Sequence, residues 1–229
     1  MNLLDSKKNK TENNKQYIYR ILKESIMNLI LMPGENISES EICEALNVSR
    51  TPVREAIVRL SEEKLLNVFP QKGSMVSKIN LSLVEEAIFL RELCEKKLFK
   101  MVCEDENSSE LIKALEKIAA YQNIAANFDE DLYEFFRLDN QFHMTIFDHY
   151  NKKNVWKSVK RLCTHYDRLR LIDALEVTNT PEVFNQHNLI IETIKNKQIE
   201  HVDNLISSHL SKFKDVINKY IEKYPEYFS

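Results

Sequence analysis

From residue 17 onward the apolar positions of this chain recur at intervals of three and four, with one interruption. Ile18, Ile21, Leu22, Ile26 and Leu29 make a helical stripe that stops before Pro33-Gly34. Ser38-Glu39-Ser40-Glu41 then opens a short helix around Ile42, Ala45 and Leu46, with Ser38 and Glu41 at capping-box spacing. Past the break Asn47-Val48-Ser49, the residues Val53, Ala56, Ile57 and Leu60 fall at i, i+3, i+4 and i+7 and predict another helix. Pro52 is tolerated in its first turn, where the amide has no intrahelical partner. Two short helices so joined make a helix-turn-helix. The interruption lies between 65 and 79, where Leu66, Val68 and Val76 alternate around Gln71-Lys72-Gly73-Ser74. That pattern predicts a β-hairpin with glycine at its tip, placed as a wing.

Beyond Leu81 the spacing is helical almost throughout. It predicts about six helices, near 81–101, 108–125, 130–150, 154–173, 181–197 and 199–222, broken by polar clusters such as 105–108 and 151–154. The expected fold is mainly α. A flexible polar tail (1–15) precedes a winged helix-turn-helix of three helices and a β-hairpin (16–79), and an all-α bundle follows (80–229).

Composition narrows the function. Among 229 residues only two are glycine, so glycine-rich phosphate loops and turn-rich β folds drop out. No apolar run approaches the roughly 18 residues of a membrane span, and residues 1–15 lack the apolar centre of a signal peptide. Cys43, Cys94, Cys103 and Cys163 follow no metal or redox spacing, as expected of reduced thiols. Together these features predict a cytoplasmic protein without a membrane partner. Residues 1–80 carry 12 Lys+Arg against 10 Asp+Glu and the remainder 20 against 25, a mildly basic front and an acidic back.

Two sets of polar residues stand where they call for a purpose. Arg50 and Arg54, four apart, share a face with Ser49 and Thr51 at the start of the second helix of the helix-turn-helix. Arginines there can fork onto guanine edges, and hydroxyls and free amides can take phosphate oxygens. Lys72 and Gly73 at the wing tip would lie beside the backbone or minor groove. A solvated face is the plain alternative. In the bundle, Asp139 and His143 fall on the apolar stripe of Phe135, Phe136, Phe142, Ile146 and Phe147, while His187 and His209 fall on stripes of their own. An inward aspartate is costly unless paired or metal-bound, and Asp139 with His143 can bite one ion together. Hydrogen-bonded core residues would satisfy the same pattern, and spacing does not bring His187 and His209 to one point. Arg91 shares the inward stripe of Ala87, Ile88, Cys94 and Leu98, either to meet a ligand or to pair with Glu95.

The string Val48-Ser49-Arg50-Thr51-Pro52-Val53-Arg54-Glu55-Ala56, followed by Leu60 and a wing with Gly73, closely resembles the winged-helix domain of GntR-family transcriptional regulators. The resemblance implies that Arg50, Thr51 and Arg54 contact DNA, with the wing tip at Lys72-Gly73 adding contacts. Where the family often has glycine, this chain has Lys64. Residues 81–220 resemble the all-helical FCD effector domain of the FadR subgroup, through Arg91 with Glu95, Asp139-Asn140-Gln141-Phe142-His143, His187 and His209-Leu210. That resemblance implies a three-histidine, one-carboxylate metal site made by Asp139, His143, His187 and His209, with Gln186 where an acidic neighbour is usual. It also implies a small organic acid as effector, which Arg91 on its inward stripe, and secondarily Arg170 near the same cavity, are expected to meet. Such a donor set suits a divalent transition metal, zinc first, with nickel, iron or manganese as alternatives.

One recognition helix reads only a few base pairs, so a homodimer on a palindromic double-stranded DNA operator is expected. An effector that prefers the DNA-incompatible arrangement of the two copies would induce a repressor, the expected sense of regulation. A metal-responsive regulator is the alternative. So is a metalloenzyme carrying a winged helix, although no H-E-x-x-H pattern or placed general base supports catalysis.

Overall fold

The computed structural model of the protein describes residues 2–4, 6–71, 73–127, 132–177, 180–215 and 217–229, so Lys72 lies outside the described residues. Among these the chain forms eleven α-helices and three short strands, the mainly helical class that the periodicity predicts. No described helix is long and apolar enough to cross a membrane.

The chain divides into two compact units. The first gathers Met1–Val84, Thr164–Leu169 and Ile217–Ser229. It holds α1 (Asn14–Met27), β1 (Asn36–Ile37), α2 (Glu39–Leu46), α3 (Arg50–Glu62), β2 (Leu66–Phe69) and β3 (Gly73–Val76). The stripes close on one core in which Ile18, Leu22 and Ile26 of α1 meet Val53, Ala56, Ile57 and Leu60 of α3 and Ile37, Leu66 and Val76 of the sheet. Each such side chain contributes ~1.5–3 kcal/mol by leaving water, more than any single cap in this unit. The expected hairpin forms, with Leu66 opposite Val76 and Phe69 opposite Gly73. β1 adds a third strand beside β3, giving the order β1-β3-β2. Two residues are too few to show alternation, so the sequence pattern does not announce β1.

The expected capping box at Ser38–Glu41 does not form. Ser38 is the N-cap of α2 but makes no side-chain cap bond, and its hydroxyl lies 2.6 Å from that of Ser40. A reciprocal box instead starts α1, where Asn13 and Gln16 each accept from the other's backbone amide. The polar residues ahead of α1 make specific bonds to it. Arg20 donates to both carboxylate oxygens of Glu12, to Ser6 Oγ and to the Lys7 carbonyl.

With two glycines in the chain, helices end on other residues. Leu29, Asn47, Lys64, Asn151 and Lys197 all take the left-handed conformation. At each of these ends the next amide reaches back five residues, as in Ile30 to Ser25, Val48 to Cys43 and Leu65 to Leu60, the closing bond of a Schellman motif. Lys64 therefore stands at the glycine-favoured position with φ 60°, and its carbonyl accepts from Ser77 Oγ and His165 Nε2.

The segment Thr164–Leu169 of this unit brings a buried cation. Arg168 is fully buried, and its described partners are neutral: the carbonyls of Ser77 and Thr164, Ser77 Oγ and His165 Nδ1. Burial lowers its pKa to about 10. Burial first, and Arg168 second, push the His165 pKa down to about 4, so the ring is neutral. Its Nδ1 also accepts from the Asn80 amide.

The second unit spans Glu85–Cys163 and Arg170–Val216. It is built from most of α4 (Leu81–Glu104), α5 (Ser109–Asn127), α6 (Leu132–His149), α7 (Lys153–Leu162), the later part of α8 (Thr164–Val177), α9 (Thr180–Lys195) and α10 (Ile199–Ser211). α5 packs on α6 and α9, α9 on α10, and α6 on α7. Two of the expected six helices are divided. The span 154–173 is α7 and α8, separated at Cys163, and 199–222 is α10, a 3-10 turn over Lys212–Asp215, and α11 (Ile217–Lys223). The apolar spacing runs on through Trp156, Val159, Cys163 and Tyr166, so periodicity does not mark the first break.

Two stability measurements test these features. Lys64→Gly should raise the unfolding free energy by about 1 kcal/mol in urea, because an L side chain at this φ is strained. No gain would mean the Lys64 side chain offsets its own strain. Stability should also fall from pH 6.5 towards pH 4, since the unfolded His165 takes a proton that the folded ring refuses. At ~1.4 kcal/mol per unit the full loss is about 3 kcal/mol. His165→Gln should flatten that part of the profile, and an unchanged slope would assign it elsewhere.

Candidate metal centre and nucleic-acid interface

The α6 stripe turns Phe135, Leu138, Asp139, Phe142, His143, Ile146 and Phe147 inward. Asp139 and His143, one turn apart, thus point the same way, as their spacing predicts. α9 supplies His187 and α10 supplies His209. Asp139 and His187 are fully buried, with His143 and His209 nearly so. One ligand atom from each of the four lies within 4.8 Å of every other. The structure therefore brings together all four residues that the resemblance implied.

The geometry is specific. Nε2 of His209 is 3.2 Å from Nε2 of His143, and Nε2 of His187 is 3.6 Å from Asp139 Oδ1. The opposite ring nitrogens face outward. His143 Nδ1 is 2.8 Å from Glu95 Oε2, His187 Nδ1 is 2.7 Å from Gln122 Oε1, and His209 Nδ1 is 3.0 Å from Gln186 Oε1. Phe142 stacks on the His187 ring at 4.0 Å and fixes its plane.

The electrostatics oppose protons on the His187 and His209 rings. Burial drives the His187 pKa to about 3, and burial, then His187 and His143, holds His209 well below the usual range. Burial alone would raise Asp139, but Arg170, His143 and His187 keep it well below the usual carboxylate range. Arg170 Nη2 lies 2.8 Å from Asp139 Oδ1, with the guanidinium over the Phe136 ring. Arg91 is buried and its Nε donates to Glu95 Oε1 at 2.6 Å, the within-helix pairing open in the sequence. Burial would raise the Glu95 pKa too, yet Arg91 and His143 lower it to about 2. Both candidate effector arginines thus contact carboxylates at or beside the cluster.

The cluster fits a metal ion. Asp139 Oδ2 and His187 Nε2 are buried without a hydrogen bond among the described residues, a condition that costs about 1–3 kcal/mol per group. Three imidazoles and a carboxylate are donors for zinc and its neighbours at about 2.0–2.2 Å. Glu95 and Gln122 support the site without having been singled out for it. Gln122 had a signal, being a buried polar residue on the α5 stripe of Leu115, Ile118 and Ala119. Its partner was not legible, because it lies 65 residues away.

In the first unit, Ser49, Arg50, Thr51 and Arg54 are all exposed at the start of α3. Ser49 is the N-cap of α3, with no side-chain cap bond, so its hydroxyl is not spent on capping. Arg54 Nε donates to Glu39 of α2 at 2.9 Å, an exposed pair worth ~0–1 kcal/mol and easily exchanged. A groove of about 600 Å³ separates Arg50 and Arg54 from Phe69, Gln71 and Gly73 of the wing. Gly73 has φ 94°, which the tight tip requires.

Comparison with known proteins agrees with both halves. Residues 14–76 match the model for bacterial regulatory proteins of the gntR family, and residues 86–212 match the FCD domain. The chain is 32% identical over 94% of its length, and 90% of the other, to an HTH-type transcriptional regulator in an unstable DNA locus of Streptomyces ambofaciens. It is 28% identical to the HTH-type transcriptional repressor RspR of Escherichia coli strain K12, covering 99% and 98% of the two chains. Among solved structures, E. coli McbR/YncC has a similar fold. The TM-score is 0.73 at 18% identity, covering 91% of this chain and 99% of that one.

Asp139→Leu should destabilise the metal-free protein by about 3 kcal/mol in urea, since it breaks the ion pair between Asp139 and Arg170. A change within 0.5 kcal/mol would show that other partners suffice for Arg170.

Proposed function

The chain belongs to the gntR family of bacterial regulatory proteins, carries an FCD domain and is a DNA-binding transcription regulator, and from this premise we propose that it is a repressor controlled through a metal site in that domain. Ser49, Arg50, Thr51 and Arg54 read or grip the operator from α3, and Lys72 and Gly73 do so from the wing. Two copies on a two-fold axis place two such helices on a palindromic site. Asp139, His143, His187 and His209 hold a divalent transition ion, zinc in the first instance. The observation that carries the metal reading is the buried group of three imidazoles and the Asp139 carboxylate in the second unit, whose ligand atoms all lie within 4.8 Å of one another.

A bound ion supplies a Lewis-acidic anchor for the carboxylate of a small organic acid. Asp139 and the three imidazoles fix the anchor, while Arg170 and Arg91 add positive charge beside it. Ligand preference for the arrangement that cannot span the operator lowers DNA affinity, by no more than its differential affinity for the two arrangements. A second reading makes the ion itself the effector. It is favoured by the burial of all four donors and by the pairing of Arg91 with Glu95. Operator affinity measured against zinc concentration, with no organic acid present, separates the two.

Protein purified without chelators or a metal-affinity tag should hold about one equivalent of transition metal per chain by elemental analysis, and His187→Ala should lower it. No metal after reconstitution with several ions would return the cluster to core hydrogen bonding. Arg54→Ala should weaken specific operator binding by ~1–3 kcal/mol, whereas Lys72→Ala should weaken binding to all sequences alike. Equal losses on every sequence for both variants would remove base reading from Arg54.

A further inference from the structure

A core histidine needs only its polar atoms satisfied, and either ring nitrogen can face either way. Here all three rings are turned alike. Each presents Nδ1 to an oxygen of a residue on another helix, Glu95 on α4 for His143 of α6, Gln122 on α5 for His187 of α9, and Gln186 on α9 for His209 of α10. Glu95 and Gln122 are as buried as the rings they face. Nε2 of each ring then looks towards the others and the Asp139 carboxylate.

We propose that Glu95, Gln122 and Gln186 are positioning residues that hold the three imidazoles with the proton on Nδ1 and the Nε2 lone pair aimed at one ion, and so set the affinity of the centre. The inference rests on the metal reading above and adds which atoms bind and what aims them. An oxygen acceptor on Nδ1 fixes the tautomer, orients the ring and raises the basicity of the other nitrogen. The three acceptors differ in kind: Glu95 offers a carboxylate whose other oxygen accepts from Arg91, whereas Gln122 and Gln186 offer amide oxygens. Gln122 is committed to this single task, because its Nε2 is buried without a hydrogen bond among the described residues.

The test uses the full chain stripped of metal. Zinc is titrated against a chromophoric chelator into wild type, Gln122→Leu, Gln122→Glu and Gln186→Glu, and 15N NMR of the metal-free wild type locates the ring protons. Gln122→Leu should weaken zinc binding about 10–100-fold, Gln122→Glu should restore it or better, and Gln186→Glu should tighten it about tenfold. A residue that merely fills the core would alter stability in the Leu variant without this split between Leu and Glu. Zinc affinity unchanged in Gln122→Leu, or any of the three rings with a bare Nδ1, overturns the positioning role while leaving the metal reading intact. Failure of the wild type to bind zinc, with all three Nδ1 atoms protonated, overturns the metal reading and supports the orientation alone. The Glu variants and the NMR decide the matter if the Leu variant does not fold.

Discussion

The second unit is organised around the charge of one fully buried carboxylate. Desolvation works against an ionised Asp139, and an uncompensated charge at that depth would cost several kcal/mol or be neutralised by a proton. Arg170, His143 and His187 hold it in the ionised form. That requirement explains why α6, α8, α9 and α10 each carry a polar side chain on an otherwise apolar face. It also accounts for the outer residues, since a histidine that offers one nitrogen inward must satisfy the other outward. A bundle with an apolar centre would need none of Glu95, Gln122 or Gln186.

The first unit solves a related problem without an anion. Arg168 keeps a guanidinium away from water by giving its hydrogens to Ser77, Thr164 and His165. Neutral acceptors in a low-dielectric setting bind such a group well when every donor is matched, though they repay less of the desolvation than a carboxylate would. His165 in turn must stay uncharged to accept from it. The buried arginines Arg91 and Arg168 thus sit in opposite environments, Arg91 against the Glu95 carboxylate and Arg168 against oxygens and nitrogens that carry no net charge.

Much of this was readable from the chain, for reasons that differ by element. The helix-turn-helix and wing were legible because their apolar spacing and local breaks are contained within about 60 residues. Asp139 and His143 were legible as an inward pair because four residues make one turn. What spacing could not supply was convergence. His187 and His209 come from separate helices, and only the likeness to a known domain joined them to Asp139 before the fold did. Other features left no periodic trace at all. β1 is two residues long, the break at Cys163 falls inside a continuous stripe, and Arg168 looks like any charged residue on a helix. The capping box was misplaced because Ser38 bonds to Ser40, a choice that side-chain spacing does not reveal.

The helix ends carry one last consequence. Five of them close on leucine, asparagine or lysine in a backbone conformation that favours glycine. The folded state is strained at each, but the denatured chain is also less free, since glycine would widen the range of conformations it can explore. The strain enters the native side of the balance and the lost freedom enters the other. Where strain is the larger, each terminus holds latent stability of the order of 1 kcal/mol, and termini more than about 10 Å apart would release it additively. The chain therefore has room to become more stable at its helix ends, without touching the buried charges or the exposed arginines at the start of α3.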